Sequence, residues 1–191
     1  MTTDPITAAR AEFAPEVAYL DTASLGLPPR RTIEALRAAE GRWCAGTADA
    51  RAYDEPLTDA RATYAALVGV DQSAVAVGSQ VSVFAGLVAA GLPAGAEVLT
   101  AAGEFTSLVF PFLAQAGRGV RVREVPLEHL ADGVTRRTTL VAVSAVQSAD
   151  GRLADLDALC DAAAANDSRV LVDTTQATGW LPVDASRFAY T

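Results

Sequence analysis

Five short runs of strand character, Ala74-Val-Ala-Val77, Glu97-Val-Leu-Thr100, Val120-Arg-Val-Arg-Glu124, Thr139-Leu-Val-Ala-Val-Ser144 and Val170-Leu-Val-Asp173, constrain this chain more than any other feature. Each has the length of a strand, and helical spacing of apolar residues fills most of the gaps: Val81 to Ala90, Ser107 to Ala116 with Pro111 as a kink, and the alanine-rich Leu153 to Ala165. Two further helices, Arg30 to about Ala45 and Pro56 to Val68, come earlier. They follow an opening segment, Ala18 to Pro29, that reads as extended and then looped. Such alternation predicts an α/β fold: a largely parallel, doubly wound sheet covered by helices, with residues 1–29 as an N-terminal segment and 30–191 as the sheet domain. The last stretch, Leu181 to Thr191, reads as the approach to another strand.

Composition narrows the function classes. The 191 residues are 51% hydrophobic and 20% charged, enough apolar material for a globular core. A formal charge of −8 with scattered arginines argues against a nucleic-acid groove or a polybasic membrane contact and favours a small-molecule partner. The N-terminus lacks the basic start and apolar run of a signal peptide, and no apolar segment reaches spanning length, so a cytoplasmic location is the expectation. Two cysteines far apart, Cys44 and Cys160, and a single histidine, His129, offer no metal-ligand spacing and no nucleophilic triad. Helical spacing makes Cys160 a small core residue, Cys44 reads the same way, and His129 reads as a surface residue.

In parallel sheets ligands bind beyond the carboxyl ends of the strands, and here those ends are polar. Gly78-Ser79-Gln80 stands between a strand and a helix, where free amides and the helix dipole favour a phosphate; Ser79 or Ser82 acting as a helix cap is the plain alternative. Phe105, in Gly103-Glu-Phe-Thr-Ser107, can cover a flat ring by stacking or can pack into the core. Gln147-Ser148 follows another strand end and can face a ligand or cap the loop before Asp150-Gly151. Asp173, with Gln176 three residues on, can hold a protonated pyridine nitrogen, or it can cap the loop that follows. The four sites together suit pyridoxal 5′-phosphate, which also needs a lysine for its Schiff base. The chain has no lysine: all fifteen basic residues are arginine.

From Tyr19 to Thr191 these residues resemble the class V aminotransferase family of pyridoxal-phosphate enzymes, which includes cysteine desulfurases, kynureninase-like and isopenicillin-epimerase-like proteins. The strongest part is Val172-Asp-Thr-Thr-Gln-Ala-Thr-Gly-Trp-Leu-Pro-Val-Asp184, similar to the family's Asp-x-x-Gln followed by Gly and Pro-x-Asp. The resemblance implies a fold-type I large domain with Ser79 and Gln80 at the phosphate, Phe105 stacked on the ring, Asp173 at the pyridine nitrogen and Gln176 at the phenolic oxygen. Ser148 completes the expected cofactor-binding set. It implies an enzyme acting on an amino acid or related amine through a quinonoid intermediate, and a homodimer with active sites near the subunit interface.

Two departures stand out. Desulfurases of the family commonly carry histidine where this chain has Phe105, which argues against desulfuration, and many members place an asparagine where it has Gln147-Ser148. The resemblance puts the Schiff-base lysine, a substrate-binding arginine and the small domain beyond Thr191, so the expectation is an N-terminal portion that is inactive alone. The alternative is a short non-catalytic protein that binds a phosphorylated small molecule. A Rossmann dinucleotide site is disfavoured by the absence of Gly-x-Gly-x-x-Gly.

Overall fold

The computed structural model describes residues 4–191. They fall into two compact units, the first running through Thr58 and the second from Asp59 to Thr191. In the first unit a short helix, α1 (Pro5–Arg10), starts where the Asp4 carboxylate accepts from Thr7 N and Pro5 occupies the first helical position. The following segment is irregular rather than extended, and the Tyr19 hydroxyl fastens its turn by donating to Leu25 O (2.5 Å). Helix α2 (Arg30–Cys44) fulfils the periodicity of its sequence. Its N-terminus is held by Glu12, whose carboxylate accepts from Arg31 N at 3.2 Å and whose carbonyl accepts from Arg30 N at 2.8 Å. Cys44 is exposed, against the core reading of its sequence. Helix α3 (Asp54–Val68) opens with Asp54 and Glu55, favourably placed at the positive end of the helix dipole.

The second unit is built on four parallel strands, β1 (Glu97–Ala101), β2 (Arg121–Val125), β3 (Thr138–Ser144) and β4 (Arg169–Asp173), in the order β2-β1-β3-β4. Alternation along each strand sorts the core into two layers. Val98, Leu140, Ala142 and Leu171 face α4 (Val81–Gly91) and α5 (Thr106–Leu113) through Ala85, Ala89, Leu108 and Phe112. Leu99, Ala101, Val141, Val143, Val170 and Val172 face the other way, onto Leu159 and Ala163 of α6 (Leu156–Ala165) and onto Leu130 and Val134. Helices thus cover both faces, which makes the unit a doubly wound α/β sheet, as the sequence pattern predicts. The chain's last residues pair in parallel with the free edge of β4, where Val172 N donates to Tyr190 O (3.0 Å).

Three expected elements differ. Ala74–Val77 forms no strand: Gln72–Ala74 is a short 3-10 turn, and Val77 is 63% exposed. A strand requires a neighbour to complete its ladder, and among the described residues none lies beside this run; instead the Arg61 guanidinium binds its carbonyls, Nε to Val75 O (2.8 Å) and Nη2 to Gln72 O (3.2 Å). Helix α6 begins at Leu156 rather than Leu153, because Leu153 is drawn into a bridge with Val146 and Asp155 caps the helix through Ala158 N. Helix α5 ends at Leu113, two residues after Pro111, and a separate 3-10 turn covers Ala116–Arg118.

Candidate functional site

The connections from β1 and β3 leave for opposite faces of the sheet, β1 into α5 and β3 towards α6. Between them, beyond their carboxyl ends, lies the crevice that such a switch in direction opens, the usual ligand position in sheets of this kind. Helix α4 leads into β1 through the short turn Leu92–Ala96 and therefore runs back against it. Eleven helical residues span about 16 Å, as do five strand residues, so the start of α4 reaches the same edge as Ala101.

The expected site residues all lie along this edge. Ser79 and Gln80 are exposed and precede α4; Gln80 is its N-cap position in extended conformation, with no side-chain capping bond. The serine-cap alternative is thereby not realised, and the first amides of α4 are left without a side-chain acceptor from the cap. Phe105 sits at the N-cap of α5 and is 49% exposed, so its ring does not belong to the core. Asp173 ends β4. Its Oδ1 accepts from Thr175 N (2.9 Å), which realises the loop-capping reading with one oxygen; Oδ2 has no hydrogen-bond donor among the described residues. Gln176 is half-buried in the ensuing turn, and its carbonyl accepts from Trp180 Nε1 (2.6 Å).

The two residues after β3 separate cleanly. Gln147 is 5% exposed, and its amide nitrogen donates to Glu104 Oε2 (3.0 Å) and Ser144 O (3.3 Å), so its donors point inward. Ser148 is exposed in the turn closed by Gly151 N and Gln147 O. Of the pair, Ser148 is the one available to a ligand.

The residue that the sequence pattern passed over is Glu104. Its Oε1 accepts from Phe105 N (2.9 Å) and Ser144 Oγ (2.6 Å), and its Oε2 accepts from Ser144 N (2.8 Å) and Gln147 Nε2. One carboxylate therefore ties the loop after β1 to the end of β3 across the crevice. An acid in the loop three residues past β1, with Ser144 and Gln147 at the end of the neighbouring strand β3 and no basic residue beside it, was the available signal. Two concavities lie elsewhere in the unit, one of about 400 Å³ bounded by Leu127, Leu130, Arg152, Leu153 and Leu159, the other along Leu67, Val68 and Thr178–Val183. Neither includes an expected site residue.

The sequence profile of the family described as aminotransferase class-V matches residues 18–190. The chain belongs to the class-V aminotransferase family. A probable cysteine desulfurase of Aeropyrum pernix is 32% identical over 206 aligned positions, which take in 93% of this chain and 49% of the relative. Among solved structures, the cystine C-S lyase C-DES in complex with cysteine persulfide superposes with a TM-score of 0.80 at 24% identity, covering 91% of this chain and 52% of that one. The cysteine desulfurase CsdA of Escherichia coli gives a TM-score of 0.75 at 22% identity, covering 98% and 52%. These superpositions establish the fold, that of the fold-type I large domain. Another C-DES structure carries glycine covalently linked to its PLP cofactor, and pyridoxal phosphate is the cofactor of this family. The class-V chain described here spans about half the length of the relatives it matches.

Proposed function

We propose that this chain forms the ring- and phosphate-holding part of a pyridoxal-phosphate site in an enzyme that acts on an amino acid. The observation that carries the reading is the Asp173 carboxylate at the end of β4, with one oxygen fixed by Thr175 N and the other left open beside a topological switch point. The residues present suit the group. Ser79, Gln80 and the first amides of α4 offer donors and a helix dipole to a phosphate. The half-exposed Phe105 ring covers one face of the pyridine and keeps water from it. Asp173 holds a proton at the ring nitrogen, Gln176 donates to the phenolic oxygen, and Ser148 meets the ligand from the β3 side. Bound there, pyridoxal phosphate supplies an electron sink for charge that develops at the substrate's α-carbon. The Schiff-base amine is not among these 191 residues, which contain no lysine, and the reading assigns it to other sequence of the protein.

The family supports an amino-acid substrate, and the similar proteins named for cysteine or cystine make sulfur amino acids the first to try. In the protein that carries this sequence, Asp173→Asn should greatly reduce turnover while pyridoxal phosphate remains bound, since a neutral amide cannot keep the ring nitrogen protonated. Borohydride reduction with peptide mapping should place no pyridoxyl group on a side chain of residues 1–191. Full turnover by Asp173→Asn, or a reduced adduct on one of these side chains, refutes the assignment.

A further inference from the structure

We propose that Glu104 is the positioning residue of this site, setting Phe105 and the Gln147-Ser148 turn against each other across the crevice; the inference rests on the cofactor reading of the site. The geometry follows from where the sheet stops. Ala145 N donates to Asp173 O on the β4 side (2.9 Å), so the N–H of Ser144, one residue earlier, points the opposite way, towards β1. The register of β1 with β3 runs to Thr100 and Ala142, and β1 ends at Ala101. The Ala101 carbonyl accepts from Glu104 N (3.3 Å) instead, and the Glu104 carboxylate supplies the acceptor for Ser144 N (2.8 Å). Its remaining three bonds go to Ser144 Oγ, Gln147 Nε2 and Phe105 N.

Every one of these donors lies on a segment that presents a candidate ligand contact. Phe105 N fixes the backbone that carries the ring. Ser144 and Gln147 are each 5% exposed, so the carboxylate is anchored in a buried wall, and Ser148 is the next residue out of it. Four acceptances to one carboxylate, three of them at 2.9 Å or less, are charge-assisted hydrogen bonds of the strong kind. A site placed on loops gains precision only when its ligand contacts are locked by such supporting bonds. Glu104 meets no ligand itself in this arrangement: both oxygens are spent on the protein.

The test uses Glu104→Gln, whose shape is nearly that of glutamate but whose amide turns two N–H groups towards protein donors. Hydrogen exchange of the protein that carries this sequence, without cofactor, should show faster exchange at Phe105 N and Ser144 N while the amides inside β1 and β3 keep their protection. With pyridoxal phosphate, the variant should bind at least about tenfold more weakly and give an altered visible circular-dichroism band, because the ring's setting changes. A role confined to folding would lower the denaturation midpoint and leave affinity and spectrum as they were; that result, or unchanged exchange at the two amides, overturns the proposal. If Glu104→Gln does not fold, Glu104→Asp serves instead: it keeps the charge, shortens the reach by one methylene, and should show the same exchange and spectral changes in smaller degree. The parent's behaviour separates the two readings. Binding that Asp173→Asn alters and Glu104→Gln does not defeats only the Glu104 proposal, whereas a parent protein that binds no pyridoxal phosphate defeats the site reading and this one with it.

Discussion

Glu97 offers the sharpest test of how the sheet is held at the end away from the site. It opens β1 and is 8% exposed, the one charged residue of a fully buried strand. Its Oε1 accepts from Arg123 Nε (3.3 Å), Arg123 Nη2 (3.2 Å) and Thr138 Oγ1 (3.2 Å), joining β1 to β2 and to β3. Arg123 Nη2 also donates to Gly133 O at 2.6 Å, which draws in the connection between β2 and β3. Glu97→Ala removes every one of Oε1's bonds at once and leaves a guanidinium whose side chain is 34% exposed. Breaking a fully buried pair costs about 3–5 kcal/mol; water reaches part of this guanidinium and recovers some of that, so the expected loss is about 2–4 kcal/mol. Glu97→Gln keeps a carbonyl acceptor and should lose about 1–2 kcal/mol. Urea denaturation reads both as shifts of midpoint at constant slope. A double-mutant cycle with Arg123→Met should return a coupling of about 1–2 kcal/mol. The carboxyl end of β1 lies four residues further on, about 13 Å away, so ligand affinity measured well below the transition should not move. A loss under about 0.5 kcal/mol for Glu97→Ala, or a coupling indistinguishable from zero, refutes the reasoning.

Arg118 caps the C-terminal end of α4, with Nη1 donating to Ala89 O (3.3 Å) and Ala90 O (3.0 Å) and Nη2 to Leu92 O (2.5 Å). Arg118→Ala should cost about 1–2 kcal/mol in urea denaturation, and Arg118→Lys should recover only part, since an ammonium cannot fork across three carbonyls; equal stability of the parent and Arg118→Ala rules the cap out. Asp184 is held below its ordinary value of 3.8 by the Ser186 hydroxyl and then by Ser186 N. A depressed carboxyl contributes stability that is present above 3.8 and is lost as the pH falls through the lower, folded value. The parent's advantage over Asp184→Asn should therefore be complete at neutral pH and fade in acid; an advantage that persists unchanged at the acid end refutes it.

Most of the fold was legible because burial on both faces of a parallel sheet demands near-continuous apolar runs, and β1, β3 and β4 have them. The run Val120-Arg-Val-Arg-Glu124 that holds strand β2 alternates apolar and charged residues, and β2 is the edge strand, with a half-exposed pattern to match. The failure at Ala74–Val77 has the same origin as these successes. Apolar character marks a segment suited to a sheet, but a strand exists only where a neighbour supplies the ladder, and a run of four residues carries no information about its neighbour. Helix ends depart from the sequence pattern where a tertiary contact decides them, as where Leu153 joins Val146 in a bridge. Site residues were easier to locate than to orient. Phe105, Ser148, Asp173 and Gln176 follow strand ends and Ser79 and Gln80 stand at the start of α4, so topology brings all six to one edge. Which of Gln147 and Ser148 turns inward depends on Glu104, an acid more than forty positions away from either.

Position 105 bears on the chemistry. A histidine at that place can both stack and carry a proton, whereas the ring of Phe105 can only stack. The nearest titratable neighbour, Glu104, does not make up the difference, because each of its oxygens already accepts from two protein donors. Ser144 Oγ is engaged as a donor to the same carboxylate, and the only histidine, His129, lies on the connection between β2 and β3, next to Asp132 at 4.0 Å. Under the proposed reading this loop therefore positions and shields the ring without moving protons. Proton transfer at the substrate falls to the amine that the cofactor requires and to groups outside these 191 residues. That division predicts a site in which Asp173 governs the electronic demand, Glu104 governs geometry, and residue 105 excludes water.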